Sequence, residues 1–476
     1  MPMRAWTVRR RLHVAVCLAF ISLAVPFYAA SQKQDDIRIT PEEYRQRRAL
    51  LMSKMEPHSI AIFKAKDFSN RSNDVNFAYR QESNFLYLTG CEEPRAYLLL
   101  CPDGVTIGEA APVKEVFFIR PKTRSAAGES LGLEGAKAEL GFASVLPGTE
   151  LMGVAKGALT GKKVLYYAPS MPDMVSDPLM EKRTIVSREV KSELQASFPD
   201  LEIKNLYGAL GEMRSIKSPT ELALLQKAID ATAIAHIEAM KSCEPGMFEY
   251  ELQAVIEYCF AKNGAEFQGF PSIVGSGPNS CILHYDANRR KMQDGDVVVM
   301  DIGAEYHGYS ADITRTIPVN GAFSPVQRQI YEIVLRAQEE AIKLMKPGTT
   351  VEHSAKATEV IADGLMKLGL IKDKTEVNRY YTHGLSHGIG LDVHDVGRFG
   401  AGMQPGMILT VEPGIYVPEG SPCDKKYWNI GVRIEDDVLI TPEGNKVVSA
   451  AAPKSIKEIE VLMKRQGLGN AKLGGR

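Results

Sequence analysis

The chain has 476 residues, which is enough for two or three domains that each bury a sizeable core. Its 57 basic and 58 acidic side chains leave a formal net charge of -1, and 45% of its residues are hydrophobic. This composition is typical of a globular protein and excludes the strongly basic surface that nucleic-acid binding requires.

The first thirty residues have the pattern of a secretory signal peptide. Arg4 and three consecutive arginines from Arg9 precede an apolar stretch from Val14 to Ala30 that ends in small residues. We therefore predict a signal peptide at residues 1–31 and an exported protein, periplasmic or secreted, with no stable membrane insertion after cleavage. An uncleaved membrane anchor is the alternative, although the stretch is short for a membrane span.

Residues 36–205 are predicted to form an α/β domain. Thr40 and Glu43 have the spacing of a capping box, which begins a helix. Short β-like runs, such as residues 59–64 and 116–119, then alternate with segments of helical pattern.

Residues 212–465 are predicted to form a second domain, of α+β type. Ser218 and Ser324 each begin a capping-box pattern that opens a helix. The strand-like runs include residues 297–303, 309–319, 407–416 and 432–441. This order predicts helices packed on a mostly antiparallel sheet. Residues 466–476, rich in glycine and lysine, are predicted to be a disordered tail.

Two aspartates in the second domain lie on neighbouring strand-like runs. If the turn between these runs consists of residues 305–308, Asp301 faces Asp312 directly across a hairpin. Opposed side chains lie about 5 Å apart at Cβ, so two carboxylates there repel unless a proton or a cation lies between them. The hairpin therefore indicates a metal site; the alternative is that one aspartate points to solvent.

Two glutamates also occur within apolar strand patterns. A lone ionised side chain at Glu412 or Glu435 would be costly to bury. Three of the nine histidines, His383, His387 and His394, fall in one short run. Oxygen ligands with one or two imidazoles suit pairs of manganese, cobalt or zinc ions.

Together these motifs resemble the aminopeptidase P family, the proline-specific branch of the pita-bread metallopeptidases. In the second half the resemblance runs through PSIVGSG from Pro271, CILHY from Cys281, the acidic hairpin, HGLSH from His383, VEPG and RIEDD. In the first half it includes Asp74 and YRQESNFLYLTG from Tyr79. The resemblance implies an α+β chain with a C-terminal pita-bread fold and an N-terminal α/β creatinase-like domain.

The resemblance also implies the roles of individual residues. It makes Asp312 and Glu435 ligands that bridge two metal ions. Asp301 completes the coordination of one ion, and His387 and Glu412 complete that of the other. It assigns catalytic roles to His284, His394 and Glu412, and substrate contacts to His284, His383, His394 and Asp74. The family's usual ion is manganese; cobalt or zinc also suits the ligands.

The implied activity is that of a metal-dependent exopeptidase that releases the first residue of peptides with proline second, in a homodimer or homotetramer. Prolidase activity on Xaa-Pro dipeptides is one alternative. It is weakened because residues 398–406, before VEPG, form a shorter segment than the arginine-containing loop common in the family. A non-catalytic pita-bread module that binds peptides or proteins is the alternative of another class, and the presence of all five ligands disfavours it.

Overall fold

The computed structural model describes residues 37–122, 130–167, 174–177, 182–397 and 400–470. The predicted signal peptide at residues 1–31 lies outside these ranges. From Arg38 onward the chain forms one compact unit. No helix in the described ranges has both the length and the apolar character needed to span a bilayer.

The first half contains six helices and ten strands within the described residues. The helices are α1 Pro41–Ser53, α2 Ser83–Thr89, α3 Gly132–Leu140, α4 Leu151–Leu159, α5 Val186–Ser197 and α6 Tyr207–Ser215. The strands are β1 Ser59–Lys64, β2 Asn70–Ser72, β3 Val75–Asn76, β4 Tyr97–Val105, β5 Val113–Ile119, β6 Val145–Pro147, β7 Val164–Tyr167, β8 Met174–Asp177, β9 Lys182–Ile185 and β10 Glu202–Lys204.

A mixed six-stranded sheet forms the centre of this half, in the order β10-β7-β1-β4-β5-β6. Strand β1 pairs in parallel with β7 and antiparallel with β4. Its residues Ile60 and Phe63 are buried, as a central strand covered by helices requires. Helix α1 begins as predicted, because the Thr40 side chain accepts a hydrogen bond from the amide of Glu43.

The second half contains five helices and eleven strands within the described residues. The helices are α7 Pro219–Ser242, α8 Glu249–Lys262, α9 Pro325–Leu344, α10 Glu352–Leu368 and α11 Ile456–Leu462. The strands are β11 Phe267–Gln268, β12 Ile273–Ser276, β13 Val297–Ile302, β14 Ala304–Tyr306, β15 Tyr309–Ser310, β16 Ile313–Pro318, β17 Ile408–Val411, β18 Gly414–Val417, β19 Ile430–Arg433, β20 Asp436–Thr441 and β21 Gly444–Val447.

These strands form short antiparallel ladders, in the orders β11-β14-β15, β12-β13-β16, β17-β20-β21 and β18-β19. The predicted capping boxes are present at Ser218 of α7 and Ser324 of α9. On α9, Ile330, Val334 and Ala337 follow the helical repeat and are fully buried in the core beneath the ladders. Each predicted run at 407–416 and 432–441 is divided into two strands, and the interruptions carry the acidic residues.

The start of the predicted tail is ordered. The amide of Gly469 donates to the Ser242 hydroxyl, and the Asn470 side chain donates to the carbonyl of Lys241. The boundary predicted at residue 466 is therefore too early, because these bonds attach the segment to the end of α7. Residues 471–476 lie outside the described ranges.

Candidate metal centre

The acidic hairpin has a shorter turn than predicted. Tyr306 pairs with Tyr309, so the turn contains only His307 and Gly308. Both have positive φ, 48° and 81°, as a two-residue type I′ turn requires. The register consequently shifts by two residues.

The direct pairing predicted between Asp301 and Asp312 is wrong, because Asp301 pairs with Thr314. A shift of two residues leaves every side chain on its original face, so Asp312 is the diagonal neighbour of Asp301 instead of its opposite. Asp312 lies where the ladder is interrupted between β15 and β16. The close approach of the Ala311 carbonyl at this break leaves no room for a Cβ at Gly303.

Glu412 and Glu435 lie at opposing positions of a second interrupted ladder. Val411 pairs with Asp436 on one side of the interruption, and Gly414 pairs with Arg433 on the other. Continuing the first ladder by one step places Glu412 opposite Glu435. The structure therefore gives the register between these strands, which the sequence could not fix because the connection between them is long.

His387 approaches these carboxylates on a segment that packs along β17. The amide of Thr410 donates to the His387 carbonyl, and the His387 amide donates to the Thr410 hydroxyl. Gly388 forms an isolated bridge with Leu409. These bonds fix the backbone on which the imidazole is carried.

Three of the predicted ligands converge in one place. One ligand atom from each of Asp312, His387 and Glu435 lies within 4.8 Å of the others. The Nε2 atom of His387 lies 3.4 Å from Asp312 Oδ2 and 3.5 Å from Glu412 Oε1. Asp301 lies beside this group on β13, and its charge acts on Asp312 and Glu435.

The donor set fits divalent cations. Asp301, Asp312 and Glu435 are nearly inaccessible to solvent, yet Asp301 Oδ1 and Asp312 Oδ1 have no hydrogen-bond partner among the residues that the structure describes. Buried carboxylate oxygens without a donor are costly unless a cation satisfies them. Carboxylates with one imidazole are ligands that manganese, cobalt and zinc accept.

Burial and mutual repulsion raise the pKa values of these carboxyls. Burial, and then Glu435, raise the pKa of Asp312 and of Glu412 well above the ordinary range. Burial, and then Asp301, raise the pKa of Glu435 to about 8. Burial lowers the pKa of His387 to about 4, so its imidazole is neutral at pH 7 and has a lone pair for a metal.

A hydrogen-bonded chain connects the cluster to His383. Arg433 donates to Asp301 Oδ2 at 2.6 Å and to the Tyr416 hydroxyl at 2.9 Å. The same hydroxyl lies 2.8 Å from His383 Nε2, while His383 Nδ1 contacts the carbonyl of Gly384 at 2.8 Å. These contacts use both ring nitrogens and orient the imidazole at the edge of the cluster.

Sequence reasoning missed Thr314, Arg433 and Tyr416. The Thr314 hydroxyl donates to Glu435 Oε2 at 2.7 Å and accepts from Arg433 Nε at 3.2 Å. Thr314 follows Asp312 by two residues, and Arg433 precedes Glu435 by two. That alternation, which places residues on one face of a strand, is the signal that identifies Thr314 and Arg433.

Replacing Thr314 with valine is expected to weaken metal binding by roughly 10- to 100-fold, because Glu435 loses the donor that orients it. Titration of metal into chelated protein measures this change. Thr232→Val is the matched control, since within the described part of the chain its buried hydroxyl bonds only to the backbone at Ala228 and Ala304. Equal affinities in the two variants would contradict an orienting role for Thr314.

The predicted catalytic and substrate histidines lie beside the cluster. The rings of His394 and His387 are 4.0 Å apart. The charge of His284 lowers the pKa values of both His383 and His394, although burial is the larger cause in each case. The His284 and His394 side chains are exposed, as groups that meet a substrate must be.

Asp74 is the one predicted site residue that the structure does not bring to the cluster. It is exposed at the turn of the β2–β3 hairpin. Among the described residues, no hydrogen bond or ion pair connects its carboxylate with the five predicted ligands. Arg398, the first residue of the short segment before VEPG, lies outside the described residues.

The first half of the chain contacts the loop that carries His394. Ser83 donates to the carboxylate of Asp392 at 2.6 Å. Arg214 of α6, fully buried, forms ion pairs with Asp392 and Asp395. These contacts lie on both sides of His394 and couple its position to the first half.

Family models match both halves. The model for metallopeptidase family M24 matches residues 223–442, and the model for the aminopeptidase P N-terminal domain matches residues 44–166. The fold and the buried carboxylate–imidazole cluster thus define a metal-dependent hydrolase of the M24 class.

Individual relatives give the narrower assignment. The Xaa-Pro aminopeptidase of Escherichia coli (strain K12) is 40% identical over 443 residues, which cover 89% of this chain and 98% of the relative. The Xaa-Pro aminopeptidase of Haemophilus influenzae is 39% identical over 441 residues, with 90% and 98% covered. The chain belongs to the aminopeptidase P family of M24 metallopeptidases.

Solved structures agree with this assignment. Escherichia coli aminopeptidase P with the inhibitor Pro-Leu superimposes with a TM-score of 0.79 at 38% identity, covering 90% of this chain and 99% of that one. Proline aminopeptidase P II from Yersinia pestis gives a TM-score of 0.78 at 38% identity, covering 90% and 100%. The predicted pita-bread fold with its amino-terminal domain is confirmed.

Proposed function

We propose that this protein is a metal-dependent exopeptidase that releases the first residue of peptides with proline at the second position. One observation carries the proposal: a buried carboxylate–imidazole cluster occurs in a chain 40% identical to an Xaa-Pro aminopeptidase over nearly the whole length of that relative. The substrates are peptides with a free amino terminus.

Five residues are proposed to hold two divalent ions: Asp301, Asp312, His387, Glu412 and Glu435. The unpartnered oxygens of Asp301 and Asp312 support this assignment. When bound, paired ions of this kind polarise a carbonyl and activate water at neutral pH. Manganese is proposed as the native ion because an oxygen-rich donor set suits it.

The remaining chemistry is proposed for side chains at the edge of the cluster. His394 donates to the oxyanion that develops on the scissile carbonyl. Glu412 accepts the proton of the attacking water and transfers it to the proline nitrogen, which has no N–H of its own and must be protonated to leave. His284 and His383 contact the substrate, and Asp74 is included on the family resemblance alone.

Export and self-association belong to the same proposal. The arginines and apolar stretch of residues 1–31 support export to the periplasm or medium. Exposed apolar side chains of Phe68, Val75 and Phe77, around the β2–β3 hairpin, support a homodimer or homotetramer. The amino-terminal residue of the mature protein and its mass by light scattering test these two points.

The substrate is tested by comparing Xaa-Pro dipeptides with Xaa-Pro-Yaa tripeptides, with metal analysis of the same sample. We expect tripeptides to be cleaved faster and only at the first bond, by protein that binds two divalent ions per chain. Faster cleavage of dipeptides would favour prolidase. A preparation that binds less than about one ion and stays inactive with added manganese would favour a non-catalytic binding module.

Replacing His394 with alanine is expected to lower kcat by roughly 100- to 1,000-fold, because the oxyanion loses a donor, while both metal ions are retained. Steady-state kinetics and metal analysis check this. His58→Ala, in an exposed histidine paired with Asp103, is the control and should leave kcat unchanged. Loss of metal from the His394 variant would refute the assigned role.

A further inference from the structure

The segment that carries His284 has little regular structure of its own. A 3-10 helix, Gly277–Cys281, follows β12, and no further strand or helix begins until β13 at Val297. The segment nevertheless reaches the metal centre, since Arg433 donates to the Leu283 carbonyl at 3.4 Å. Other contacts must therefore fix its backbone.

A single buried carboxylate supplies many of these contacts. Glu249, the first residue of α8, is completely inaccessible to solvent. Its Oε1 accepts from the Ser276 amide at 2.8 Å, the Ser276 hydroxyl at 2.7 Å and the Asn279 side chain at 3.1 Å. Its Oε2 accepts from the Tyr285 hydroxyl and the Arg290 amide, both at 2.8 Å.

These donors lie on both sides of His284 in the chain. Ser276 and Asn279 precede it, whereas Tyr285 and Arg290 follow it. Glu249 therefore connects the two ends of a segment of fifteen residues, 276–290, through one charged group. Hydrogen bonds to a charged acceptor are roughly twice as strong as those between neutral groups.

A carboxylate suits this position better than any other side chain. It has only acceptors, about four lone-pair sites on two oxygens, and all the groups that face it here are donors. A glutamine of the same shape would direct an NH2 group at some of these donors and leave them unsatisfied.

We propose that Glu249 is a positioning residue for catalysis, which acts by holding His284 at the metal centre. This inference rests on the proposed function, in which His284 contacts the substrate. Glu249 itself does not touch the reacting atoms, so its removal should lower turnover without releasing metal.

The kinetic test is a double-mutant cycle of Glu249→Gln and His284→Ala. Glu249→Gln alone is expected to lower kcat/KM for an Xaa-Pro-Yaa tripeptide by roughly 10- to 100-fold with unchanged metal content, the cost of a misplaced contact group. In the His284→Ala background the same change should cost less than about threefold, because its effect operates through His284. An equal loss in both backgrounds would overturn the proposal.

Glu221→Gln is the matched control. Like Glu249, Glu221 is a buried glutamate in the first turn of a helix, and its carboxylate accepts a hydrogen bond from the Tyr309 hydroxyl at 3.0 Å. Among the described residues it has no hydrogen bond to residues 276–290. Any loss that it causes should be the same with and without His284. A dependence on His284 equal to that of Glu249→Gln would mean that the cycle reports general destabilisation, and would refute a specific role.

Hydrogen–deuterium exchange tests the structural step without any activity. In Glu249→Gln, amides of residues 277–290 should exchange at least tenfold faster, while those of β13 and β17 keep their protection. Unchanged exchange in this segment would overturn the proposal even in an active enzyme. If the parent protein cleaves no Xaa-Pro peptide but Glu249→Gln still accelerates exchange in this segment, the proposed function is refuted. The role of Glu249 in holding the segment then remains intact.

Discussion

Asp312→Asn is expected to lower kcat/KM by about 1,000-fold or more, because Asp312 is a proposed metal ligand whose carboxylate would help to hold both ions. Bound metal provides several kcal/mol of transition-state stabilisation, and each 1.36 kcal/mol is a factor of ten in rate. Asparagine keeps the shape of the side chain but offers one oxygen and no charge. The variant should therefore lose both its bound metal, as measured by metal analysis, and its activity on tripeptides, as measured by steady-state kinetics.

Asp437→Asn is the control for this substitution. Asp437 is also a buried aspartate, and its Oδ2 accepts from the Asp312 amide at 3.3 Å, yet it is not among the predicted ligands. Burial raises the pKa of its carboxyl well above the ordinary range, so a neutral amide resembles its protonated form. We expect this variant to keep its metal and to remain within about tenfold of the parent activity. Equal losses in the two variants would contradict a special role for Asp312.

Removal of metal by a chelator should abolish activity and make stability fall as the pH rises. Without a cation, the carboxyls of Asp312, Glu412 and Glu435 have raised pKa values in the folded state. Between their ordinary values near 4 and the value of about 8 for Glu435, the folded protein binds more protons than the unfolded chain. Their stabilising effect is thus complete below pH 4 and is lost as the pH increases toward 8.

Bound metal should remove this dependence by replacing the protons. Thermal unfolding of chelated protein, with and without added manganese, checks the prediction between pH 5 and pH 8. At a free ion concentration held at about 100 times the Kd measured at pH 8, we expect an increase in Tm of about 5 °C or more at pH 8, and a smaller one at pH 5, because protons there compete with the ion for the carboxylates. A chelated protein that is as stable at pH 8 as at pH 5 would argue against a close carboxylate cluster.

Local rules predicted the helix starts because their causes are local. Thr40, Ser218 and Ser324 each cap a helix with a hydrogen bond to a residue only three positions away. The presence of a metal site could also be predicted, since acidic residues in apolar strand patterns are costly without a partner. For these features the sequence contains both the groups and their spacing.

The hairpin register marks the limit of that reasoning. A four-residue turn would pair Asp301 with Asp312. In the structure His307 and Gly308 adopt positive φ values and form a two-residue turn, so that Asp301 pairs with Thr314. The two aspartates still lie on the same face, because a shift of two residues does not change the face of a strand. A shift of one residue would have separated the two carboxylates.

The sequence by itself therefore determined which residue types form the carboxylate–imidazole cluster and that its buried carboxylates need a proton or a cation, because side-chain chemistry and strand alternation follow from local sequence. Only the tertiary structure decided that Glu412 lies opposite Glu435, that Thr314 and Arg433 donate hydrogen bonds to two of the predicted ligands, and that Glu249 binds both ends of the His284 segment. Those contacts join residues separated by long connections, and their distances depend on how the ladders and helices pack.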